Sequence, residues 1–310
     1  MDLSIIIPAY NVEHDIERTL DSIFSQVHNY QIEVITINGP SSDNTRKVIE
    51  NYAKSQPNLK FINYDEKNSL GARELGIKNA TGRYITFCDG DDRQSEDAIS
   101  VLVTKMDETG ADMINAGFYY EKKNGTRPTF FRKNAVLNQV QLYKYLLKDD
   151  YVRGYLWNKI YKAEVLKSVN FHMPSYNIYR DDAYFNFLVA HNINKTVLIK
   201  NPIYYYNKVN ASTFSGANKS RILSFIKILG FEKWAIEEVN NPKLVKFFNS
   251  MKLRRWIQIR FDLFLNKKAY TKKEYKQEKR AINGYLKIIN SKNKLPIPGM
   301  PWEELIKPYL

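Results

Sequence analysis

The chain has 310 residues, 44% of them apolar and 14% aromatic, and carries a formal net charge of +14. That length and apolar share exclude a disordered or fibrous chain and allow a large buried core. A single cysteine, Cys88, excludes an intrachain disulfide and fits a reducing compartment. No apolar run approaches the roughly 20 residues of a membrane-spanning helix. The opening residues run straight into a strand pattern, without the basic and apolar stretches of a secretory leader, so the expectation is a cytoplasmic protein. The charge is unevenly spread: residues 1–214 hold 26 Lys/Arg against 25 Asp/Glu, and residues 215–310 hold 21 against 8. A basic surface of that size attracts anionic lipid, an anionic polymer or nucleic acid; a solvated basic helix face is the plainer reading.

In chain order, residues 3–7 read as a short apolar strand stopped by Pro8, and Val12, Ile16, Leu20, Ile23 and Phe24 recur at helical spacing. A second strand over 32–37 is followed by Ser41-Ser42-Asp43, which offers caps to a helix carrying Val48, Ile49 and Tyr52. A third strand over 59–64, a helix over 70–80, a fourth strand over 84–88, a helix over 96–109 and a strand over 112–120 complete the first part. Such alternation predicts an α/β fold with a mostly parallel sheet covered on both faces. From about residue 121 the rhythm loosens. A turn at 122–126 separates two extended runs, helices fall near 138–147, 162–168 and 182–190, and short strands near 196–199 and 203–207. From residue 219 onward the pattern is helical and basic, closing on an extended tail with Pro296, Pro298 and Pro301.

Each strand of the first part empties into a loop with usable chemistry. Pro8-Ala9-Tyr10-Asn11 can present Tyr10 as a flat surface for a base, and Asn38-Gly39-Pro40 opens a polar, tightly turned second loop. The third loop begins a helix with small residues around Gly71 and brings Arg73 toward any bound phosphate. The fourth strand runs into Asp89-Gly90-Asp91-Asp92. Hard divalent cations take oxygen ligands, and Mg²⁺ commonly shares one or two carboxylates with a substrate phosphate. The acidic turn therefore reads as a seat for a metal–diphosphate; a turn that only caps the following helix is the alternative. In an open α/β sheet, ligands bind at the carboxyl edge of the strands, where these loops converge.

The ordered set is specific. Ser4-Ile5-Ile6-Ile7-Pro8-Ala9-Tyr10-Asn11, Ser41-Ser42-Asp43, Gly71-Ala72-Arg73 and Phe87 to Asp92, followed by Trp157-Asn158-Lys159-Ile160-Tyr161, Asp181-Asp182-Ala183-Tyr184-Phe185 and Pro202 to Ser212, resembles the family 2 glycosyltransferases of GT-A fold. The resemblance covers about residues 3–214. It implies a Rossmann-like GT-A catalytic domain over 1–214, with a nucleotide-sugar-binding half (1–120) and an acceptor-binding half (121–214), then a basic helical region over 215–310. It also implies inverting transfer of a sugar from a nucleotide-sugar to a hydroxyl of a glycan or lipid-linked acceptor, in bacterial capsule, exopolysaccharide or other cell-surface glycan synthesis. On the same basis, Pro8, Ala9, Tyr10, Asn11, Asn38, Gly71, Arg73, Asp89, Gly90, Asp91 and Lys208 hold the nucleotide-sugar, and Asp91 and Asp89 hold Mn²⁺ or Mg²⁺. The acidic pair supplies the base, and alignment on Phe185 makes it Asp182 rather than Asp181. One departure stands out: where the family usually carries Asp, one of which contacts uracil, this chain has Asn38-Gly39-Pro40. Asn both donates and accepts, whereas an ionised Asp only accepts; a UDP-sugar remains the expected donor.

Trp157 and Tyr155 are candidates for stacking on the acceptor sugar, with core packing the competing reading for Trp157. Asp182 read as a helix cap, Arg73 as a surface partner of Glu74 or Asp65, and Tyr10 as loop filler are the alternatives at those positions. His172 and His191 have no metal-pair spacing and read as structural. In the basic region, Phe225, Phe231, Trp234, Phe247, Phe248, Trp256 and Phe261 suit peripheral attachment to an anionic membrane surface. A homo-oligomer interface, or packing onto the catalytic domain, accounts for them equally well. No nucleic-acid-binding motif accompanies the charge, so no nucleic acid partner is expected. A nucleotide-sugar-binding protein without catalysis would leave the acidic pair without a role.

Overall fold

The computed structural model of the chain describes residues 1–131, 133–148, 154–171, 181–207, 230–265 and 267–290. The first part alternates as its sequence pattern predicts: β1 (Leu3–Ala9), α1 (Ile16–Phe24), β2 (Ile32–Asn38), α2 (Thr45–Ala53), β3 (Leu59–Asn63), α3 (Ser69–Asn79) and β4 (Tyr84–Phe87). Then come β5 (Arg93–Gln94), α4 (Ala98–Thr109), β6 (Met113–Lys122), β7 (Gly125–Thr129), β8 (Ala135–Asn138), α5 (Gln139–Leu147), β9 (Lys159–Lys162), α6 (Ala163–Lys167), α7 (Asp181–Ala190) and β10 (Lys195–Asn207). The basic region contributes a helical stretch over 230–239, α8 (Pro242–Leu265) and α9 (Lys272–Asn290).

The strands form one sheet in the order β3-β2-β1-β4-β9-β6-β10-β5, with β7 added to β6 and β8 to β10. Pairings among β3, β2, β1 and β4 are parallel, and the apolar run of β1 and β2 is buried on both faces, as parallel strands require. Helix α3 approaches β1 so closely that a Cβ on Gly76 would stand 2.4 Å from Ile6 Cγ2. The sheet is less uniform than the sequence implies. β9 runs antiparallel between β4 and β6, and β5, β7 and β8 are antiparallel as well, so only the first four strands and the β6–β10 pair are parallel.

Three strands differ from expectation for identifiable reasons. β1 continues through Pro8 to Ala9. The Cys88 N–H donates to the Ile6 carbonyl, so the same side of β1 at Pro8 faces the place where β4 has already turned away, and a missing N–H forfeits no ladder bond. The two short strands expected near 196–199 and 203–207 are one strand, β10, whose register shifts around Pro202 conceal its continuity in the sequence. β9, unexpected from its sequence, takes the last three residues of the Trp157–Tyr161 segment together with Lys162. The Asn158 Nδ2 donates to the Ala116 carbonyl at 3.0 Å and the Ala116 N–H to the Asn158 carbonyl at 2.9 Å, and Thr86 Oγ1 donates to the Lys159 carbonyl at 2.7 Å.

The chain forms two compact units, one of residues 1–139, 150–171 and 192–210, the other of 140–149, 172–191 and 211–310. The division is therefore not a single cut near residue 214: most of α5 and all of α7 group with the basic region. Helix α7 is buried at every residue from Ala183 to Ala190, and a helix apolar all round must be enclosed. Within its own unit, Tyr184 packs on Phe231 with ring centroids 4.3 Å apart, and the Tyr143 hydroxyl donates to the Phe187 carbonyl at 3.4 Å. Among the described residues no helix is long and apolar enough to cross a membrane.

Candidate active site

The loops after β1 and β2 form one hydrogen-bonded shelf. Asn11 adopts φ 52°, a left-handed conformation that Asn tolerates, and its Oδ1 accepts the Ser42 N–H at 2.8 Å. The Val12 N–H donates to Thr45 Oγ1 at 2.8 Å, the Glu13 N–H to Asp43 Oδ2 at 3.1 Å, and the Asn44 N–H to Glu13 Oε2 at 2.8 Å. Burial would raise the Asp43 carboxyl, but the Thr45 side chain and the backbone N–H groups of Thr45 and Glu13 outweigh it and hold it below its ordinary value. Asn11 thus joins the two loops. Tyr10 is half-buried; Gly39 packs against its Cδ2, and the Lys67 ammonium lies 4.5 Å from its ring centroid, so a base stacking on that face would displace an exposed lysine.

Asn38 ends β2 and is 6% exposed. Its Nδ2 donates to Asn63 Oδ1 at 3.4 Å, while its Oδ1 is buried without a hydrogen-bond partner. The third loop is spent on local structure. Asn68 caps α3, accepting from the Leu70 and Gly71 N–H groups at 3.1 and 3.3 Å, and a Cβ on Gly71 would stand 1.9 Å from the Tyr64 hydroxyl. A side chain at Gly71 would have to push the Tyr64 ring aside. Arg73, one turn into α3, is buried and donates to Asp89 Oδ1 at 3.0 Å; it pairs with neither Glu74 nor Asp65, but with the acidic turn itself.

That turn concentrates negative charge. Burial, then the neighbouring Asp89, raises the Asp91 carboxyl to about 6. Burial, then Asp91 and Asp89, pushes the Asp92 carboxyl well above the usual range, against hydrogen bonds from Asn207 and Tyr204. Helix α1 supports the turn from one side: Arg18 donates to the Asp91 carbonyl at 2.9 Å, and Thr19 Oγ1 lies 2.6 Å from the Asp92 carbonyl. Among the described residues no ion pair reaches the Asp91 carboxylate. A hard-oxygen donor set with unbalanced charge fits a divalent cation. No three His, Cys, Asp or Glu groups among the described residues converge as a metal cage.

The expected acceptor platform is corrected. Trp157 is 2% exposed, sandwiched between Tyr204 (centroids 4.4 Å apart, 9° between planes) and Tyr155 (4.5 Å, 17°), so it is core and has no face to offer a sugar. Tyr155, half-buried at the outer end of this stack, keeps its candidacy. The acidic pair opens α7 in the second unit. It is the Asp181 carboxylate that accepts the Asp182 N–H, at 3.0 Å, while the Asp182 carbonyl accepts from Asn186 Nδ2 at 2.7 Å. Lys208 and His172 lie outside the described residues, as do Phe225 and the side chain of Trp256. Of the remaining aromatics expected at a lipid surface, Phe231 and Phe248 are core. Phe261, 58% exposed, joins Ile257 and Phe264 in an exposed stripe on α8.

The sequence reading included Asp92 in the acidic turn without giving it a role, and missed Arg18, Thr19, Tyr204 and Asn207. Tyr204 and Asn207 lay inside a recognised segment, but only the placement of β10 beside the turn brings them to it.

A family model described as "Glycosyl transferase family 2" matches residues 4–185. The chain is 29% identical over 212 residues to the protein described as "uncharacterized glycosyltransferase EpsJ" from Bacillus subtilis (strain 168), covering 66% of this chain and 61% of EpsJ. It thus spans less than two thirds of that relative. The structure of Staphylococcus aureus TarS 1-349 in complex with UDP-GlcNAc superposes with a TM-score of 0.71 at 20% identity, covering 93% of this chain and 82% of that one. A mannosyltransferase from Pyrobaculum calidifontis in complex with GDP-Man and Mn²⁺ gives a TM-score of 0.54 at 15% identity, covering 98% and 83%. These likenesses bear out the expected GT-A architecture.

Proposed function

Because the chain belongs to glycosyl transferase family 2, we propose that it is an inverting, metal-dependent glycosyltransferase that moves a sugar from a UDP-sugar to a hydroxyl of a cell-surface glycan or lipid-linked acceptor. The observation that carries this reading is the acidic turn: Asp89 paired with buried Arg73, beside an Asp91 whose charge has no ion-pair partner among the described residues. Asp91, with Asp89, would hold Mn²⁺ or Mg²⁺, which when bound neutralises charge on the leaving diphosphate. Arg73 orients the Asp89 carboxylate, and α1 fixes the backbone of the turn through Arg18 and Thr19. Asp182 takes the proton from the acceptor hydroxyl as its oxygen attacks the anomeric carbon. The bond to the diphosphate breaks on the opposite face, so configuration inverts and the nucleoside diphosphate leaves. Two observations support UDP: the TarS structure holds UDP-GlcNAc, and the unpartnered buried Oδ1 of Asn38 can accept the imide N–H of uracil. The Mn²⁺ in the mannosyltransferase structure supports the metal.

The test is a panel of UDP-GlcNAc, UDP-Glc, UDP-Gal and GDP-Man, with Mn²⁺ or with chelator, read as release of nucleoside diphosphate. One UDP-sugar should turn over with metal only; turnover unaffected by chelator contradicts the metal, and preference for GDP-Man contradicts UDP. Asp182→Asn should lower turnover by ~10²–10⁴; a loss under about tenfold removes Asp182 as the base.

The basic region is read as meeting the anionic inner face of the cell membrane. Support comes from exposed Ile257, Phe261 and Phe264 at i, i+4 and i+7 on α8, near exposed Arg260, Lys267 and Lys268. Flotation with anionic vesicles at low salt should recover the protein, and moderate salt should weaken the association; no flotation at low salt contradicts the reading.

A further inference from the structure

The acidic turn is gripped from beneath by residues that have no part in donor binding as read above. The Tyr204 hydroxyl accepts the Asp89 N–H at 2.9 Å and donates to Asp92 Oδ2 at 2.8 Å, so one phenol ties the first residue of the turn to its last. The other oxygen of Asp92 accepts the Asn207 N–H at 2.7 Å, and Asn207 Nδ2 donates to the Asp91 carbonyl at 3.2 Å. Within the turn, the Asp92 N–H donates to the Asp89 carbonyl at 3.2 Å. Tyr204 is fully buried and lies flat on Trp157, which Tyr155 covers on its other face. Two segments remote in sequence, around Trp157 and Tyr204, thus converge under Asp89–Asp92.

A core position asks only for the ring, and Phe would fill it. A buried hydroxyl that both accepts and donates is retained at a cost unless its two bonds do something a phenyl cannot. We propose that Tyr204, held flat by Trp157 and assisted by Asn207, is a positioning residue that fixes the Asp89–Asp92 turn in the shape its two less buried carboxylates need to take up metal and diphosphate. This inference rests on the donor-site reading of the turn. Its logic is preorganisation: a site held in its working geometry spends no binding energy on ordering itself.

Tyr204→Phe deletes one oxygen and keeps the stack on Trp157. A merely structural hydroxyl would lower the melting temperature and leave the affinity of the folded protein alone. The measurement is calorimetry of UDP binding to the full chain, with Mn²⁺ and with chelator, beside a thermal melt. Tyr204→Phe should weaken Mn²⁺-dependent UDP binding by roughly tenfold or more, while metal-free UDP binding changes by less than about twofold. Asn207→Ala, which removes the bond to the Asp91 carbonyl and leaves the phenol, should weaken it by roughly three- to tenfold, and decides by the same comparison if Tyr204→Phe does not fold. Metal-dependent binding in the wild type with both variants unchanged overturns the inference alone. A wild type that binds UDP no better with Mn²⁺ overturns the donor-site reading and this inference with it.

Discussion

The two halves of the sheet serve the site in opposite ways. The parallel half, β3-β2-β1-β4, delivers its functional groups in loops at strand ends, where each short polar string follows an apolar run. The antiparallel insertion β9, with β10 beyond it, supplies a stack of Tyr155, Trp157 and Tyr204 that ends in hydrogen bonds to the acidic turn. One half presents chemistry and the other holds it still. A catalytic motif read from sequence is therefore an incomplete site until its support is found, and here the support lies more than 60 residues downstream.

This contrast can be broken at several points, in order of expected effect. Trp157→Ala should cost about 3–5 kcal/mol of stability in chemical denaturation, as for a buried tryptophan leaving a cavity; a stable variant with altered acceptor KM would return Trp157 to the acceptor site. Asp91→Asn should cut turnover by ~10²–10³ with little change in melting temperature, the reverse signature. Glu33 tests the parallel half at its interior. Burial would raise its carboxyl, but bonds from Lys60, Ser4 and Thr81 across three strands and a loop bring it down to about 2 from an ordinary 4.5. A depressed folded value means that this stabilisation is complete above the unfolded value and fades as pH falls from about 4.5 toward 2. It should amount to about 2–3 kcal/mol, and in Glu33→Gln the acid dependence over that window should flatten by the same amount. Asn11→Ala should cost about 1–2 kcal/mol through the left-handed backbone and the lost Ser42 bond, with Asn11→Gly recovering the backbone share.

Legibility followed the same line. The parallel strands, their helices and the acidic turn could be read because apolar period, caps and loop residues lie within a few positions of each other. β9 was missed because four residues, Lys159-Ile160-Tyr161-Lys162, are too few to show a period, and β10 was split in two because Pro202 interrupts its pattern. Trp157 was read two ways because an aromatic in a loop looks alike whether it faces solvent or core. Tyr204 and Asn207 lay in a recognised segment that does not tell which of its residues reach the turn, and Arg18 gave no local signal; their roles arise from register between strands and from one helix face. The grouping of α5 and α7 with the basic region was equally invisible, since it depends on which helices bury one another.

The central claim is that Asp91, with Asp89, seats a metal–diphosphate. A crystal of the full chain soaked with UDP and Mn²⁺, with data collected at the manganese edge, tests it most directly. The account predicts an anomalous peak within coordination distance of the Asp91 carboxylate and a UDP oxygen. UDP bound with no peak there, or with its diphosphate away from the turn, would contradict it.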